Sequence, residues 1–311
     1  GQMGNIVAYF NGEWVTQDDI RIHPLDRGFY VGDAVFDLAR TFNGKSFKMR
    51  EHIDRLYRSL KHVRIDPGIS PDEMYEASEE AIRRNEAERG AAGDWHIWQT
   101  VTRGIAGWRQ LEATPTVMIQ IFPVPFNLYA HMFKEGSHGV ITKTRSYPSE
   151  SLDPKVKHYS RMNFNMAELE ARDIDPEGWP IMTDANGNIT EGTAYNVFIV
   201  KDGVIRTAGD SSLLQGISRG SVVEVAERLG IPVVTEELQP YDLYTADEAF
   251  LTNTPICVLP MTKVDNREIG DGKPGPITQQ LLAAWSEWVG LDIADQAEQM
   301  SGKMGTDRVL S

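Results

Sequence analysis

Two periods of apolar and polar positions run through this chain. NIVAYF and EWV flank Asn11-Gly12, and AVFDLARTF and KSFKM flank Asn43-Gly44. Strand-like runs on either side of Asn-Gly predict hairpins, because that pair accepts the left-handed backbone of a tight turn. PIMTDANGNITEGTAYNVFIVKDGVIRTA, with turns at Asn186-Gly187 and Asp202-Gly203, predicts a three-strand meander. Helical periods interleave with these. Ile53, Leu56, Tyr57, Leu60 and Val63 form one apolar stripe. SPDEMYEASEEAIRRNEAERG opens on a Ser-Pro-Asp cap signal and stops at glycine, predicting one helix from Ser70 to Gly90. Tyr159 to Arg172 puts Tyr159, Met162, Met166 and Leu169 on one face. Ser218 to Leu229 does the same with Val222, Val225, Ala226 and Leu229 before a stop at Gly230. PITQQLLAAWSEWVG is the last helix, and the tail from about Glu298 is expected to be weakly ordered.

The chain has 311 residues, enough for about two domains. Two prolines follow a strand in IFPVPFNLYAHM, and a strand-rich block begins at GVITKTRSYP. The expected division is a small N-terminal domain at 1–122, an interdomain loop at 123–136 and a larger C-terminal domain at 137–311. Strands and helices mix without the regular alternation of a doubly wound sheet, so the fold class is α+β, with two domains of mixed strand and helix.

Composition narrows the function classes. Hydrophobic residues make up 41%, sufficient for a sizeable core. With 45 acidic and 31 basic residues the net charge is −14, which disfavours nucleic acid and anionic membrane surfaces as partners. A single cysteine, Cys257, excludes an internal disulfide framework and fits a reducing, cytoplasmic setting. The N-terminus lacks a basic segment followed by an apolar run, so no signal peptide is expected, and no apolar stretch approaches a membrane span.

Several residues carry candidate chemistry. LDPKVKHYSRMNFN holds two lysines, Lys155 and Lys157, either of which can be an ordinary surface charge. Gly216-Ile217-Ser218 lies just before a helix, where backbone N–H groups can bind phosphate or simply be capped. FLTNTP is a strand ending in small hydroxyl residues, including Thr254. Glu191 sits where a strand turns at Glu-Gly. Arg55 points away from the apolar stripe of its helix, so periodicity alone makes it a solvated charge. No GxGxxG follows a strand, there is no P-loop or nucleophile elbow, and the seven histidines show no metal-ligand spacing.

RGFYVGDAVFDLARTFNGKSFKMREHIDRLYRS, KHYSRMNFNMAELEA, ITEGTAYNVFIVKDG, LLQGISRGSVVEVA and FLTNTPICVLP occur in that order. Together, over roughly Ile6 to Trp288, they resemble the class IV aminotransferases, the pyridoxal-phosphate enzymes of fold type IV. That family includes branched-chain and D-amino-acid aminotransferases, (R)-selective amine transaminases and aminodeoxychorismate lyase. The resemblance implies a D-amino-acid-aminotransferase-like fold, a homodimer and bound pyridoxal 5′-phosphate. Its pattern, placed on Asn165, Ala167, Glu170 and Ala171, makes Lys157 the Schiff-base lysine, within the C-terminal domain. It implies that Glu191 faces the pyridine nitrogen. It also implies that Arg55, the N–H groups of Ile217 and Ser218, and Thr254 hold the phosphate.

The chain also departs from its relatives. Branched-chain enzymes usually carry a tyrosine near the cofactor phenolic oxygen, five residues after the lysine, where this chain has Met162. Arg161 and Tyr159 are both open as substitutes. Trp98 stands near the place of their substrate arginine. VTRGIAGWR resembles the D-amino-acid and (R)-amine branches, with Arg109 matching an arginine that meets a substrate carboxylate from a loop given freedom by Gly104 and Gly107. Phe36 takes the place of a carboxylate-binding tyrosine, and Pro255 removes an N–H next to Thr254. Phe36, Trp98, Arg109 and Tyr30 are therefore the expected substrate-facing residues. The implied reaction is ping-pong transfer of an amino group between an (R)-amine or D-amino acid and a 2-keto acid such as pyruvate or 2-oxoglutarate. A branched-chain L-amino-acid aminotransferase is the alternative, and a carbon–carbon lyase a more distant one.

Overall fold

A computed structural model describes residues 5–209 and 214–303. The chain forms two compact units. One gathers the chain up to Pro125 together with Val156–Arg161; the other holds Phe126–Lys155 and Met162–Ser301. The unit boundary at Pro125 falls inside the expected loop. The segment carrying Lys157, however, belongs with the first unit, whereas the sequence reading placed it in the C-terminal domain. Backbone pairing to a first-unit strand, described below, is the reason.

In the first unit the strands are β1 (Val7–Phe10), β2 (Glu13–Thr16), β3 (Ala34–Phe42), β4 (Lys45–Ser46), β5 (Trp95–Thr102) and β6 (Thr116–Pro123). They form one antiparallel sheet in the order β2-β1-β6-β5-β3-β4. The helices are α1 (Arg27–Val31), α2 (Met49–Val63), α3 (Pro71–Arg84) and α4 (Glu86–Ala92). Both expected N-terminal hairpins form, and their turn residues take left-handed backbone: φ is 50° at Asn11 and 55° at Asn43. The core joins Ile53, Leu56 and Leu60 of α2 to Met74 and Ala81 of α3 and to Trp95 and Ile97 of β5. Each such large apolar side chain contributes roughly 1.5–3 kcal/mol by leaving water. Ser70 and Glu73 form a reciprocal capping box at the start of α3. The single helix expected to Gly90 is instead broken at Asn85. That side chain is buried and pinned to β1, accepting from Val7 N at 2.9 Å and donating to Val7 O at 2.9 Å.

The second unit contains α5 (Met132–Glu135), β7 (Ser137–Ile141), α6 (Met162–Ile174), β8 (Trp179–Thr183), β9 (Ile189–Gly192), β10 (Asn196–Lys201), β11 (Val204–Thr207) and α7 (Ile217–Arg228). It continues with β12 (Val233–Thr235), α8 (Pro240–Tyr244), β13 (Glu248–Thr252), β14 (Leu259–Val264), β15 (Arg267–Glu268), α9 (Pro276–Val289) and α10 (Ile293–Ser301). Its mixed sheet runs β12-β11-β10-β13-β14-β7-β8-β9, with β15 on β14. The expected three-strand meander is two hairpins, β8–β9 and β10–β11, because β10 turns its other edge to β13 rather than to β9. The expected helix Tyr159–Arg172 starts later, at Met162. Its predicted apolar face is exposed at Met162, Met166 and Leu169, while Ala167 and Ala171 are buried instead. The tail expected to loosen from Glu298 keeps helix to Ser301; the remainder from 304 lies outside the described residues.

Candidate active site

β3 pairs with β5 along its length, but on its other side β4 reaches only Thr41 and Phe42. Unpaired strand backbone is a template for another segment. The chain around Lys157 fills it: Phe36 N donates to Lys157 O at 3.0 Å, and Tyr159 N donates to Ala34 O at 3.0 Å. Lys157 N also donates to Ser59 Oγ on α2 at 3.2 Å. The lysine backbone is thus fixed from a strand edge and a helix face. Its amine lies 4.5 Å from the centroid of the Phe36 ring. Lys155 is exposed and paired with Asp153 at 3.0 Å.

The Phe36 ring sits in a cluster of aromatic side chains. Phe36 stacks on Tyr159 with centroids 4.6 Å apart and lies 5.8 Å from Trp98. The Tyr159 hydroxyl is bound to Thr100 Oγ1 at 2.7 Å, and burial pushes its phenol up to about 12. The guanidinium of Arg161 lies 5.0 Å from the Phe36 centroid.

Beneath this group runs a polar stripe that periodicity did not disclose. His52, Arg55 and Ser59 lie at i, i+3 and i+7 on α2, next to the apolar stripe, and all three are buried. The expectation from the helical wheel, a solvated Arg55, is therefore overturned: the side chain is 5% exposed. It forks onto Asp37 of β3 through Nε and Nη2, each at 2.8 Å, and His52 Nδ1 donates to the same carboxylate at 2.6 Å. Burial pushes the Asp37 carboxyl up, but Arg55, with His52, outweighs it and holds it well below the usual carboxylate range. Burial lowers the His52 imidazole, opposed by Asp37 and reinforced by the charges of Arg55 and Lys157.

In the second unit Glu191 lies on β9, buried, with Oε2 accepting from Leu214 N at 2.8 Å. That contact ties β9 to the segment entering α7. Gly216 is the N-cap of α7 and so brings no side chain to cap it, and the first turn of the helix contains no acidic residue. A Cβ at Gly216 would fall 2.4 Å from Asn196 Oδ1. The comparison with α9 is instructive, since it also starts at a glycine. There the Glu248 carboxylate accepts from Ile277 N and Thr278 N. The start of α7, with Ile217 and Ser218, has no such carboxylate among the described residues and keeps the electropositive character that suits an external anion. Thr254 is half-buried in the turn after β13, which Asn253 shapes by accepting from Ile256 N at 2.9 Å.

Tyr30 and Arg109 lie on one loop assembly. Tyr30 of α1 donates to Ala106 O at 3.1 Å and accepts from Arg27 at 3.0 Å. Arg109 is exposed, with left-handed backbone at φ 61°. Gly104 is not the source of freedom expected of it. A Cβ there would fall 1.9 Å from Thr114 O, so the glycine permits close approach of two backbones. The first unit thus brings Lys157, Phe36 and Trp98 together and seats Arg55 behind them through Asp37. Asp37, His52 and Thr100 are the residues that sequence reasoning missed. The available signal was a lone carboxylate inside the apolar run AVFDLARTF.

Residues 34–264 match the family model described as Amino-transferase class IV. D-alanine aminotransferase of Listeria monocytogenes is 32% identical over 87% of this chain and 92% of its own length. The crystal structure of Escherichia coli branched-chain amino acid aminotransferase superposes with a TM-score of 0.85 at 28% identity, covering 97% of each chain. That of the T.th. branched-chain amino acid aminotransferase complexed with N-(5′-phosphopyridoxyl)-L-glutamate gives 0.81 at 26% identity, covering 97% of this chain and 96% of the other.

Proposed function

This chain belongs to the class IV aminotransferases, and from that premise we propose that it moves an amino group between an (R)-amine or D-amino acid and a 2-keto acid such as pyruvate or 2-oxoglutarate. Pyridoxal phosphate is the cofactor; the residues that would hold it are Lys157 and Arg55 from the first unit and Glu191, Ile217, Ser218 and Thr254 from the second. The donor set suits that group: a half-buried lysine and the Arg161 guanidinium over one aromatic ring, a helix start with a glycine N-cap and no acidic residue in its first turn, and a carboxylate for a cationic ring nitrogen. The observation that carries the substrate reading is the ring of Phe36 directly under the Lys157 amine, at 4.5 Å. The phenol beside it is turned to Thr100, so the ring nearest the reacting nitrogen is an apolar surface, with the Arg161 guanidinium 5.0 Å from the same centroid. Such a surface suits a donor whose amino carbon carries an apolar group.

Bound pyridoxal phosphate supplies an electron sink for the carbon that loses its proton. The chain does the rest. Lys157 Nζ takes that proton and returns it, acting as general base and then acid. Glu191, oriented by the Leu214 N–H, accepts from the ring nitrogen and keeps it protonated. Arg55 and the first N–H groups of α7 neutralise the phosphate. Asp37 and His52 hold Arg55 in one rotamer, so the cation is placed before the anion arrives.

The branched-chain L-amino-acid reading is the second one, favoured by the named branched-chain structures that superpose over nearly the whole chain. A donor screen with both enantiomers of alanine, leucine and 1-phenylethylamine separates the two. Turnover of D-alanine or (R)-1-phenylethylamine supports the first. Activity confined to L-leucine would replace it with the second. The assembly we propose is a homodimer. Phe29, Val31, Trp108 and Leu111 of the first unit are exposed, at 73%, 49%, 88% and 58%, and apolar exposure on this scale suits an interface. Light scattering should report a dimer that Trp108→Glu weakens; a monomeric wild-type protein at micromolar concentration would refute it.

A further inference from the structure

β5 ends at Thr102 and β6 begins at Thr116, and the loop between them carries Arg109. Among the described residues the Arg109 side chain makes no hydrogen bond or ion pair. The root of that loop is held closely. Arg103 N donates to Asp33 O at 3.1 Å, Arg27 N to Gly104 O at 2.9 Å and Ala106 N to Leu25 O at 3.3 Å. The Asp33 carboxylate gathers the side chains. Its Oδ2 accepts from Arg103 Nε at 2.7 Å and from Arg27 Nε at 2.9 Å, and the three side chains are only 14–17% exposed. Arg103 also donates from Nη2 to Val63 O at 2.8 Å and from Nη1 to Arg64 O at 3.2 Å, closing the C-terminus of α2. Arg27 passes the link through Tyr30 to Ala106.

The residues on either side of Asp33 hold the lysine segment. Gly32 O accepts from Ser160 Oγ at 3.2 Å, and Ala34 O accepts from Tyr159 N at 3.0 Å. Gly32, Asp33 and Ala34 therefore bind the chain just after Lys157 and the root of the Arg109 loop at once. α2 joins the same two parts, since Ser59 Oγ accepts from Lys157 N and Val63 O from Arg103. We propose that Asp33 is a positioning residue for the transamination: it fixes the root of the Arg109 loop against the segment that carries Lys157, and so sets where Arg109 meets the carboxylate of the keto acid. The inference rests on the reading of Arg109 as that carboxylate's ligand and of Lys157 as the reacting lysine. One carboxylate between two arginines restrains both side chains and leaves the loop root with a net positive charge, a field that favours an incoming anion. Burial raises the Asp33 carboxyl, but Arg103 and Arg27 outweigh it and hold it below the usual carboxylate range, so the clamp stays charged near neutrality. The tip has its own restraint. Gly107 N donates to Gln110 Oε1 at 2.9 Å and Gln110 N to Gly107 O at 3.1 Å, closing a turn around Trp108 and Arg109, so a shift at the root is carried to Arg109.

The test compares holoenzymes of wild type, Asp33→Asn, Asp33→Glu, Arg109→Ala and the Asp33→Asn, Arg109→Ala double variant. KM for pyruvate is read against KM for 1-phenylethylamine, which has no carboxylate. Asp33→Asn keeps the size and removes the charge, and should raise KM for pyruvate about tenfold while KM for the amine stays near wild type. Asp33→Glu restores the charge and should recover part of the loss. In the Arg109→Ala background Asp33→Asn should add nothing to KM for pyruvate, because the side chain it positions is gone. If Asp33→Asn fails to fold, Arg103→Lys, which keeps a charge for Asp33 but loses the fork to Val63 and Arg64, should show the same split between the two KM values. Equal rises in both KM values would make Asp33 a purely structural residue and overturn the proposal. So would additive effects in the double variant, or a wild-type KM for pyruvate in Asp33→Asn when Arg109→Ala raises it. A wild-type KM for pyruvate in Arg109→Ala would instead overturn the carboxylate reading beneath the proposal.

Discussion

Lys155 and Lys157 are two residues apart and meet different surroundings. One is exposed and paired with Asp153; the other has its backbone fixed by β3 and α2 and its amine over an aromatic ring. Borohydride reduction followed by peptide mapping should therefore place the pyridoxyl group on Lys157, and Lys157→Ala should abolish turnover while Lys155→Ala is mild. A label on Lys155 contradicts this. Arg109 belongs to the same scale. It stands exposed on the loop to which Tyr30 is tied, where it can meet a carboxylate and withdraw to water when the partner is apolar. Arg109→Ala should raise KM for pyruvate or 2-oxoglutarate roughly ten- to a hundredfold, and KM for an unfunctionalised amine much less. Equal effects on both substrates would assign the carboxylate elsewhere. Glu191→Gln should retain cofactor but slow single-turnover proton transfer by about a hundredfold; unchanged single-turnover rates would remove its role.

At the scale of elements, α2 and β3 meet through an ion pair as well as through the apolar core. Asp37 is fully buried and serves Arg55 and His52 together. Asp37→Asn leaves a buried guanidinium without its counter-charge, a change that typically costs about 3–5 kcal/mol. Urea unfolding of Asp37→Asn should show that loss, along with weaker cofactor retention because Arg55 is no longer oriented. A variant as stable as wild type would mean that Arg55 finds another acceptor. Much of these elements was legible in advance. The N-terminal hairpins follow from Asn-Gly chemistry, and α3 follows from its capping box. The buried polar face of α2 was not legible, because a helical wheel ranks residues by hydropathy and Arg55 is buried by pairing. The α6 stripe failed in the opposite sense: Met162, Met166 and Leu169 are apolar yet exposed, while small alanines take the packed face.

The whole molecule should be acid-sensitive in a defined window. Burial, with the charge of Arg40 adding to it, lowers His96 to about 3; burial, with Arg161 and Lys157, lowers His158 to about 4; and His52 is lowered too. An unfolded histidine titrates near about 6.5, so as pH falls below that the unfolded chain binds protons that the folded chain refuses. The stability these neutral histidines contribute is fully present above about 6.5 and is lost on the way down towards the folded values. Each can add up to about 1.4 kcal/mol per pH unit to the slope. Asp37, held low, loses its contribution around the usual carboxylate value of about 3.9, and Glu80 and Glu170, also held low, begin to lose theirs below about pH 5.5, so the slope above about pH 5.5 belongs to the histidines. Unfolding free energies measured between pH 7.5 and 5.5 should fall with pH, and His96→Gln should flatten the slope. An unchanged slope in that variant would show that His96 does not titrate as described.

By itself the sequence determined the α+β class, the hairpin turns, the family resemblance and the position of Lys157 within its motif. These are local properties: two-residue turn chemistry, periodicity and short ordered motifs survive without knowledge of what lies across the fold. Tertiary structure decided the rest. It returned Lys157 to the first unit, because the open edge of β3 captures the backbone of a segment far along the chain. It made Arg55 a buried cation, because Asp37 supplies the counter-charge from another strand. It turned Tyr159 to Thr100 and set Arg161 over Phe36, since hydrogen bonds and ring faces are shared among residues distant in sequence.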